Sequence, residues 1–176
     1  MIQLVNMLLE VSRIDAGRLI LRSDPVRLEV LTEEIVRAYD SYARASAISL
    51  DYAAPVGLAA ARGDVEKIKM VVQNLLDNAI RYSMAGGRVV VSVAPWDSRN
   101  IEWKVQDAGM GIPAAEQRYI FQKFFRSSSA AQRQPQGSGL GLYIARSLIE
   151  AQGGTIGFTS RDHRGTTFWF RLPVYH

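Results

Sequence analysis

The sequence predicts an α/β protein: a two-layer sandwich in which a mixed β-sheet is covered by about three helices, with a helical segment in front. Three observations carry this. Val65, Ile68, Val72, Leu75 and Ala79 recur at 3-4-3-4 spacing, the period of one helix face. "GRVVVSVAPW" (87–96) and "IEWKVQDAG" (101–109) flank the turn-like "DSRN", as the arms of a hairpin do. Helical and extended stretches mix without strict βαβ alternation, which favours a mixed sheet. At 176 residues, 48% of them apolar and 22% charged, the chain is one domain with enough apolar side chain for a core.

Taken in order, residues 1–17 read as a helix. Met1, Leu4, Leu8 and Val11 are spaced 3-4-3, with Ile2, Val5 and Leu9 beside them and Gly17 as C-cap. So broad an apolar face has nothing before it to pack on. "RLILRSDPVRL" reads as a short strand broken by Pro25, and "LEVLTEEIVRAYDSYARAS" as an amphipathic helix. "ISLDYA" alternates as a strand does, and "GLAAARGD" does so more weakly. Asp64 is placed to cap the helix that carries the 3-4-3-4 stripe. A short helix is expected after Pro113, then "RSSSAAQRQPQGSG", which is too polar to fold on itself. A helix over 139–152 and two strands, "TIGFTS" and "TTFWFRL" around the turn "RDHRG", close the chain. No internal repeat is present.

Composition removes several classes of function. There is no cysteine, so disulfides and thiolate metal sites are excluded. No apolar run approaches the length of a membrane span, and the N-terminal stretch carries Glu10, Arg13 and Asp15 where a signal peptide would not. The expected location is the cytoplasm, whether or not a parent protein is anchored in a membrane. A net charge of +4 favours an anionic partner. The basic residues are scattered without interleaved aromatics, which argues against a nucleic-acid groove.

Four stretches carry candidate chemistry. "GSGLGL" (137–142) opens a helix with glycines at alternate positions, which suits a phosphate against the main chain and the helix N-terminus. It is neither a P-loop, since no Gly-Lys-Ser/Thr follows, nor the dinucleotide fingerprint, since no acid lies about twenty residues on in a βαβ unit. On the helix at 64–82, Asn74, Asn78, Arg81 and Tyr82 share a side that the spacing places opposite the apolar stripe. Such amides are commonly solvated surface, but a neutral amide oxygen also suits Mg²⁺ where phosphates already supply the negative charge. In "DAGMGI" (107–112), Asp107 ends a strand. It is either a turn residue or an acceptor for the exocyclic amine of adenine, where guanine would present a carbonyl. In "FQKFFR" (121–126) the phenylalanines read as a loop anchor, while Arg126 can reach a terminal phosphate bidentately.

In this order and spacing, "NLLDNAIRYS", "DAGMGI", "FQKFFR" and "GSGLGL" resemble the N, first glycine, F and second glycine boxes of bacterial sensor histidine kinases. The resemblance extends over residues 1–176, because "LLEVSRIDAGRL" is similar to the end of a second dimerisation helix and "GTTF" to a closing strand. It implies the Bergerat-type ATP-binding fold, shared with gyrase-type topoisomerases, heat-shock chaperone ATPases and mismatch-repair ATPases. Residues 1–17 would then end a dimerisation helix, and 18–176 form the catalytic domain. The resemblance makes Asn78 the Mg²⁺ ligand, puts Asn74 and Arg81 near the phosphates, and lines the adenine with Tyr82. Asp107 would bind the adenine amino group, and Gly109 and Gly111 would allow close approach, with Ile112 also at the nucleotide. Residues 126–138 would form a mobile lid, with Arg126 at its hinge in a catalytic role beside Asn74. Gly137, Ser138, Gly139, Leu140 and Gly141 would wrap the triphosphate.

In hydrolysing relatives a Glu takes the place of Asn74 and activates water. An Asn cannot accept that proton, so the expectation is retention of ATP and transfer of its γ-phosphoryl group to a histidine, with positioning carrying the catalysis. The family's acceptor histidine lies on a first dimerisation helix with no counterpart in these residues. His163 falls in a turn and His176 is the last residue, so this chain alone should not phosphorylate itself. The implied partners are ATP, a dimerisation domain in a homodimeric parent and a downstream response regulator. A serine kinase of anti-sigma type, or a non-hydrolysing ATP-binding module, is the alternative.

Overall fold

The computed structural model describes residues 2–133 and 137–176, with the side chains of Ile2, Gln3, Leu4 and Asn6 outside that description. Its elements are α1 (Ile2–Asp15), β1 (Asp24–Val26), α2 (Leu28–Ala45), β2 (Ser49–Ala53), β3 (Ala61–Gly63) and α3 (Val65–Tyr82), followed by the hairpin β4 (Arg88–Pro95) and β5 (Asn100–Asp107). A 3-10 turn (Gln117–Tyr119), α4 (Ser128–Arg133), α5 (Gly141–Ala151), β6 (Thr155–Ser160) and β7 (Thr166–Pro173) complete the chain. Five strands form one sheet in the order β2-β4-β5-β7-β6. The β2–β4 pair is parallel and the others are antiparallel, so the sheet is mixed, as the sequence predicts.

Strand alternation builds the core. Val89, Val91 and Val93 of β4, Ile101, Trp103 and Val105 of β5, and Phe168, Phe170 and Leu172 of β7 all point to the buried face. Trp103 and Phe170 are register partners and stack with ring centroids 5.2 Å apart. The helices α3 and α5 supply the other layer through Ile68, Val72, Leu75 and Ala79, and through Ile144 and Leu148. Asp64 caps α3 as expected, accepting from the N–H groups of Glu66 and Lys67 at 3.0 and 3.2 Å.

Three expectations need correcting. Pro25 does not break the first strand. It lies inside β1, which among the described residues pairs with β3 alone, so a missing N–H is tolerated there. Val65 belongs to the first turn of α3 and is 38% exposed, outside the buried stripe. Part of the polar stretch after Phe125 is helical, because residues 128–133 form α4. Its ends are tied to the rest of the chain: the Ser128 N–H and hydroxyl both donate to Glu116, and the Arg133 guanidinium donates to carbonyls at the end of α3. Residues 134–136 of the expected lid lie outside the described residues.

Helix α1 packs through a different seam from the one its apolar residues suggest. Met7, Glu10 and Val11 face inward, while Val5, Leu8 and Leu9 are about half exposed. Met1 and the side chains of Ile2 and Leu4 lie outside the described residues. Glu10 is buried because Lys67 of α3 pairs with it at 2.5 Å. At the other end of α1, Asp15 accepts from Lys123 Nζ at 2.6 Å and from the Tyr143 hydroxyl at 2.9 Å. Those two donors hold its carboxyl below the ordinary carboxylate range.

Candidate nucleotide-binding cleft

Between α3, α5, α4 and the loop after β5 lies a cleft of about 650 Å³. Asn74, Asn78, Arg81, Tyr82, Asp107, Gly111, Ile112, Arg126, Gly137, Ser138, Gly139, Leu140 and Gly141 all share its wall. Four stretches far apart in the chain are thus brought around one hollow. That is large enough for a nucleotide-sized ligand.

One end of the cleft is built on Asp107. The alternation that buries Ile101, Trp103 and Val105 carries Asp107 to the same face, where it is 7% exposed. Its Oδ1 accepts from the backbone N–H groups of Gly109 (2.8 Å) and Thr166 (3.2 Å), while Oδ2 accepts from none of the described residues. Burial outweighs these two bonds and pushes the carboxyl up to about 6. Such a group, fixed by one oxygen and offering the other, is an acceptor for an N–H donor of a ligand. Gly109 itself is not in the cleft wall. A Cβ there would meet the Tyr82 carbonyl oxygen at 2.3 Å, so the close approach it permits is between the β5 end and the last turn of α3.

The other end is built on the N-terminus of α5. The Leu140 side chain does not cap this helix, and although the Leu140 N–H donates to Ser138 Oγ at 3.3 Å, the N–H groups of the first turn after it have no side-chain partner among the described residues. Gly139 adopts φ +69°, and a Cβ on it would lie 2.6 Å from the Phe124 backbone, which only glycine avoids. Across from Gly141 stands Asn74, whose Oδ1 would lie 3.6 Å from a Cβ on that glycine, while its Nδ2 is buried without a hydrogen-bond partner among the described residues. Open N–H groups at a helix N-terminus suit an anion's oxygen atoms.

Arg81 Nε lies 2.8 Å from Asp77 Oδ2, too far off-line for a hydrogen bond. It faces both the cleft and a second hollow of about 600 Å³ between α2 and α3, lined also by Tyr39 and Tyr42. The α3 amides are therefore not on open solvent opposite the core stripe: Asn74, Asn78, Arg81 and Tyr82 are half-buried on its flank. Arg126 donates from Nη2 to the Ala130 carbonyl at 3.1 Å, and its guanidinium lies against Gly137.

The sequence reading missed several contributors. Met7 and Leu8 of α1, Phe124, Phe125, Ala130 and Thr166 also line the cleft. The strand motif "GTTF" marks Thr166, but no local pattern could bring Met7 there. Neither histidine lines the cleft. His163 has an 87% exposed side chain at φ +56° and donates its N–H to Met110 O at 2.7 Å, beside the Asp107 end of the cleft.

Fold and cleft together define an ATP-binding α/β sandwich, and comparison bears this out. Residues 63–176 match the family model described as histidine kinase-, DNA gyrase B-, and HSP90-like ATPase, and the chain belongs to that family. It is 34% identical over 178 residues to the sensor histidine kinase GacS of Pseudomonas protegens, covering 97% of this chain and 19% of that protein. It is 32% identical over 180 residues to the signal transduction histidine-protein kinase BarA of Escherichia coli, covering 99% and 19%. The chain thus spans about a fifth of these curated relatives. Among solved structures it is similar to full-length ShkA in complex with AMPPNP, with a TM-score of 0.85 and 26% identity, over 99% of this chain and 36% of that one.

Proposed function

We propose that this chain binds Mg-ATP in the cleft and donates the γ-phosphoryl group to a histidine carried on a dimerisation domain, as one step of two-component signalling in the cytoplasm. The observation that carries the reading is the polarity of the cleft: a buried carboxylate, Asp107, at one end and a helix N-terminus with no side-chain cap, flanked by the Asn74 amide, at the other. Adenine offers an N–H donor and a triphosphate offers acceptors, so ATP matches both ends. In this reading Asp107 Oδ2 takes the adenine amine, with Tyr82 and Ile112 beside the base. Gly137 to Gly141 and Asn74 hold the phosphates, and Arg81 and Arg126 add positive charge there. Residues 1–17 form the end of a dimerisation helix, and the parent is a homodimer that passes phosphate to a response regulator.

Among the described residues no group of three His, Cys, Asp or Glu side chains could hold a metal. Asn78, a neutral amide in the cleft wall, fits a Mg²⁺ ion whose other ligands are phosphate oxygens and water, and cannot hold one alone. Bound there, Mg²⁺ would neutralise charge on the phosphates as the bond to the γ-phosphorus breaks. Asn74 cannot act as a base toward water, which protects ATP from hydrolysis. An imidazole nitrogen brought in line would attack the γ-phosphorus while ADP leaves, and the chain's role is to hold the phosphates still for that step.

The test is γ-labelled ATP. The 176-residue chain by itself should take no label, because its histidines lie in an exposed turn and at the C-terminus, neither beside Asn74. Fusion to a dimerisation hairpin carrying an acceptor histidine should restore labelling on that residue. Stoichiometric labelling of the chain alone, lost on mutating His163 or His176, would overturn the proposal.

A further inference from the structure

The last turn of α3 carries Arg81 and Tyr82 into the cleft, and its carbonyl groups need partners, as at any helix C-terminus. They find them in the segments that surround the cleft. Met110 N–H reaches Tyr82 O at 3.4 Å. Arg133, the last residue of α4, donates from Nε to Arg81 O at 3.2 Å and from Nη2 to Ser83 O, with Nη1 3.2 Å from Met84 Sδ. One guanidinium thus spans the two carbonyls on either side of Tyr82. Its planar fork can hold both at once, and its charge lies at the negative end of the α3 dipole. At its other end α4 is held by Ser128 on Glu116, so the helix bridges the cleft wall, with Ser127 and Ala130 facing in.

We propose that Arg133 is a positioning residue for the nucleotide: by tying α4 to the carbonyls flanking Tyr82, it fixes the wall beside the base and retards nucleotide release. It touches neither base nor phosphate in this assignment, which rests on the cleft being the nucleotide site. Arg133 is an exposed side chain, so its bonds add little to global stability and act on the local closure of the cleft.

The measurement is dissociation of a ribose-labelled fluorescent ADP by stopped-flow displacement, beside the thermal unfolding midpoint of the unliganded protein. Arg133→Ala should raise the dissociation rate about tenfold, the effect of one or two net hydrogen bonds, and leave the midpoint unchanged. Arg133→Lys, whose single ammonium cannot span both carbonyls, should fall between Ala and wild type. An unchanged rate in Arg133→Ala, with wild type binding the labelled ADP, overturns the positioning role alone. A faster rate accompanied by a midpoint lowered by more than about 5 °C assigns Arg133 to the fold and overturns it too. A wild-type chain that binds no labelled ADP overturns the nucleotide site itself, and Arg133's role with it.

Discussion

Replacing Asp107 by Asn should make the unliganded protein more stable and all but abolish ATP binding. The Asn Oδ1 can keep both backbone bonds from Gly109 and Thr166, but its NH₂ then meets the adenine amine donor to donor. The loss is expected to be about 100-fold in affinity, as for a site that strands a buried polar group. Stability moves the other way. Burial raises the Asp107 carboxyl from 3.8 to about 6. A raised carboxyl favours the fold while protonated in both states, below about 4, and that contribution is lost as pH rises through about 6. At neutral pH the buried carboxylate therefore costs roughly 3 kcal/mol, on the order of two pK units. The neutral Asn escapes most of this, so the unfolding midpoint at pH 7 should rise by about 5 °C, with the gain fading below about pH 4. In the wild type, ATP affinity should fall as pH drops through about 6, when protonation removes the acceptor. Calorimetric titration with ATP and GTP reads both effects, and equal affinity for the two nucleotides would remove the adenine assignment.

Removal of the Asn78 amide should uncouple ATP binding from Mg²⁺. In the wild type, Mg²⁺ is expected to tighten ATP binding at least tenfold, since phosphates and Asn78 together complete a site that neither makes alone. Asn78→Ala should bind ATP in chelator as wild type does, yet gain little when Mg²⁺ is added. Asn78→Asp should keep a metal response but weaken metal-free ATP, because a carboxylate then faces the phosphates. A Mg²⁺ titration of nucleotide affinity separates these outcomes. If Asn78→Ala keeps the full Mg²⁺ dependence, the ligand lies elsewhere.

Most strands and helices were legible because their burial is periodic. The α3 stripe at Ile68, Val72, Leu75 and Ala79 and the alternation in β4, β5 and β7 are local patterns that follow from one buried face per element. The reading failed where a local rule met a tertiary contact. Pro25 looked like a strand breaker but lies in a two-stranded edge pairing. Residues 128–133 looked too polar to fold, yet Glu116 and the α3 carbonyls supply partners that their own composition lacks. In α1 Val5, Leu8 and Leu9 are about half exposed while Glu10 is buried, because the buried seam is drawn toward the Glu10–Lys67 pair.

The candidate site divides along the same line. Residue types and spacing alone single out Asn74, Asn78, Asp107 and the glycines of 137–141, because amides, a strand-end carboxylate and alternate glycines each declare a chemistry within a few residues. Their meeting in one cleft depends on the sheet order β2-β4-β5-β7-β6, which sets the Asp107 end of β5 beside α3 and the start of β7. The fold also separates the roles of similar residues. Gly109 serves the contact with Tyr82, while Gly139 shapes the loop before α5. Asp107 becomes a desolvated acceptor only because the assembled core excludes water from it, and Met7 becomes part of the wall only because α1 docks there. Desolvation and long-range packing are properties of the whole chain's arrangement, and no window of residues contains them.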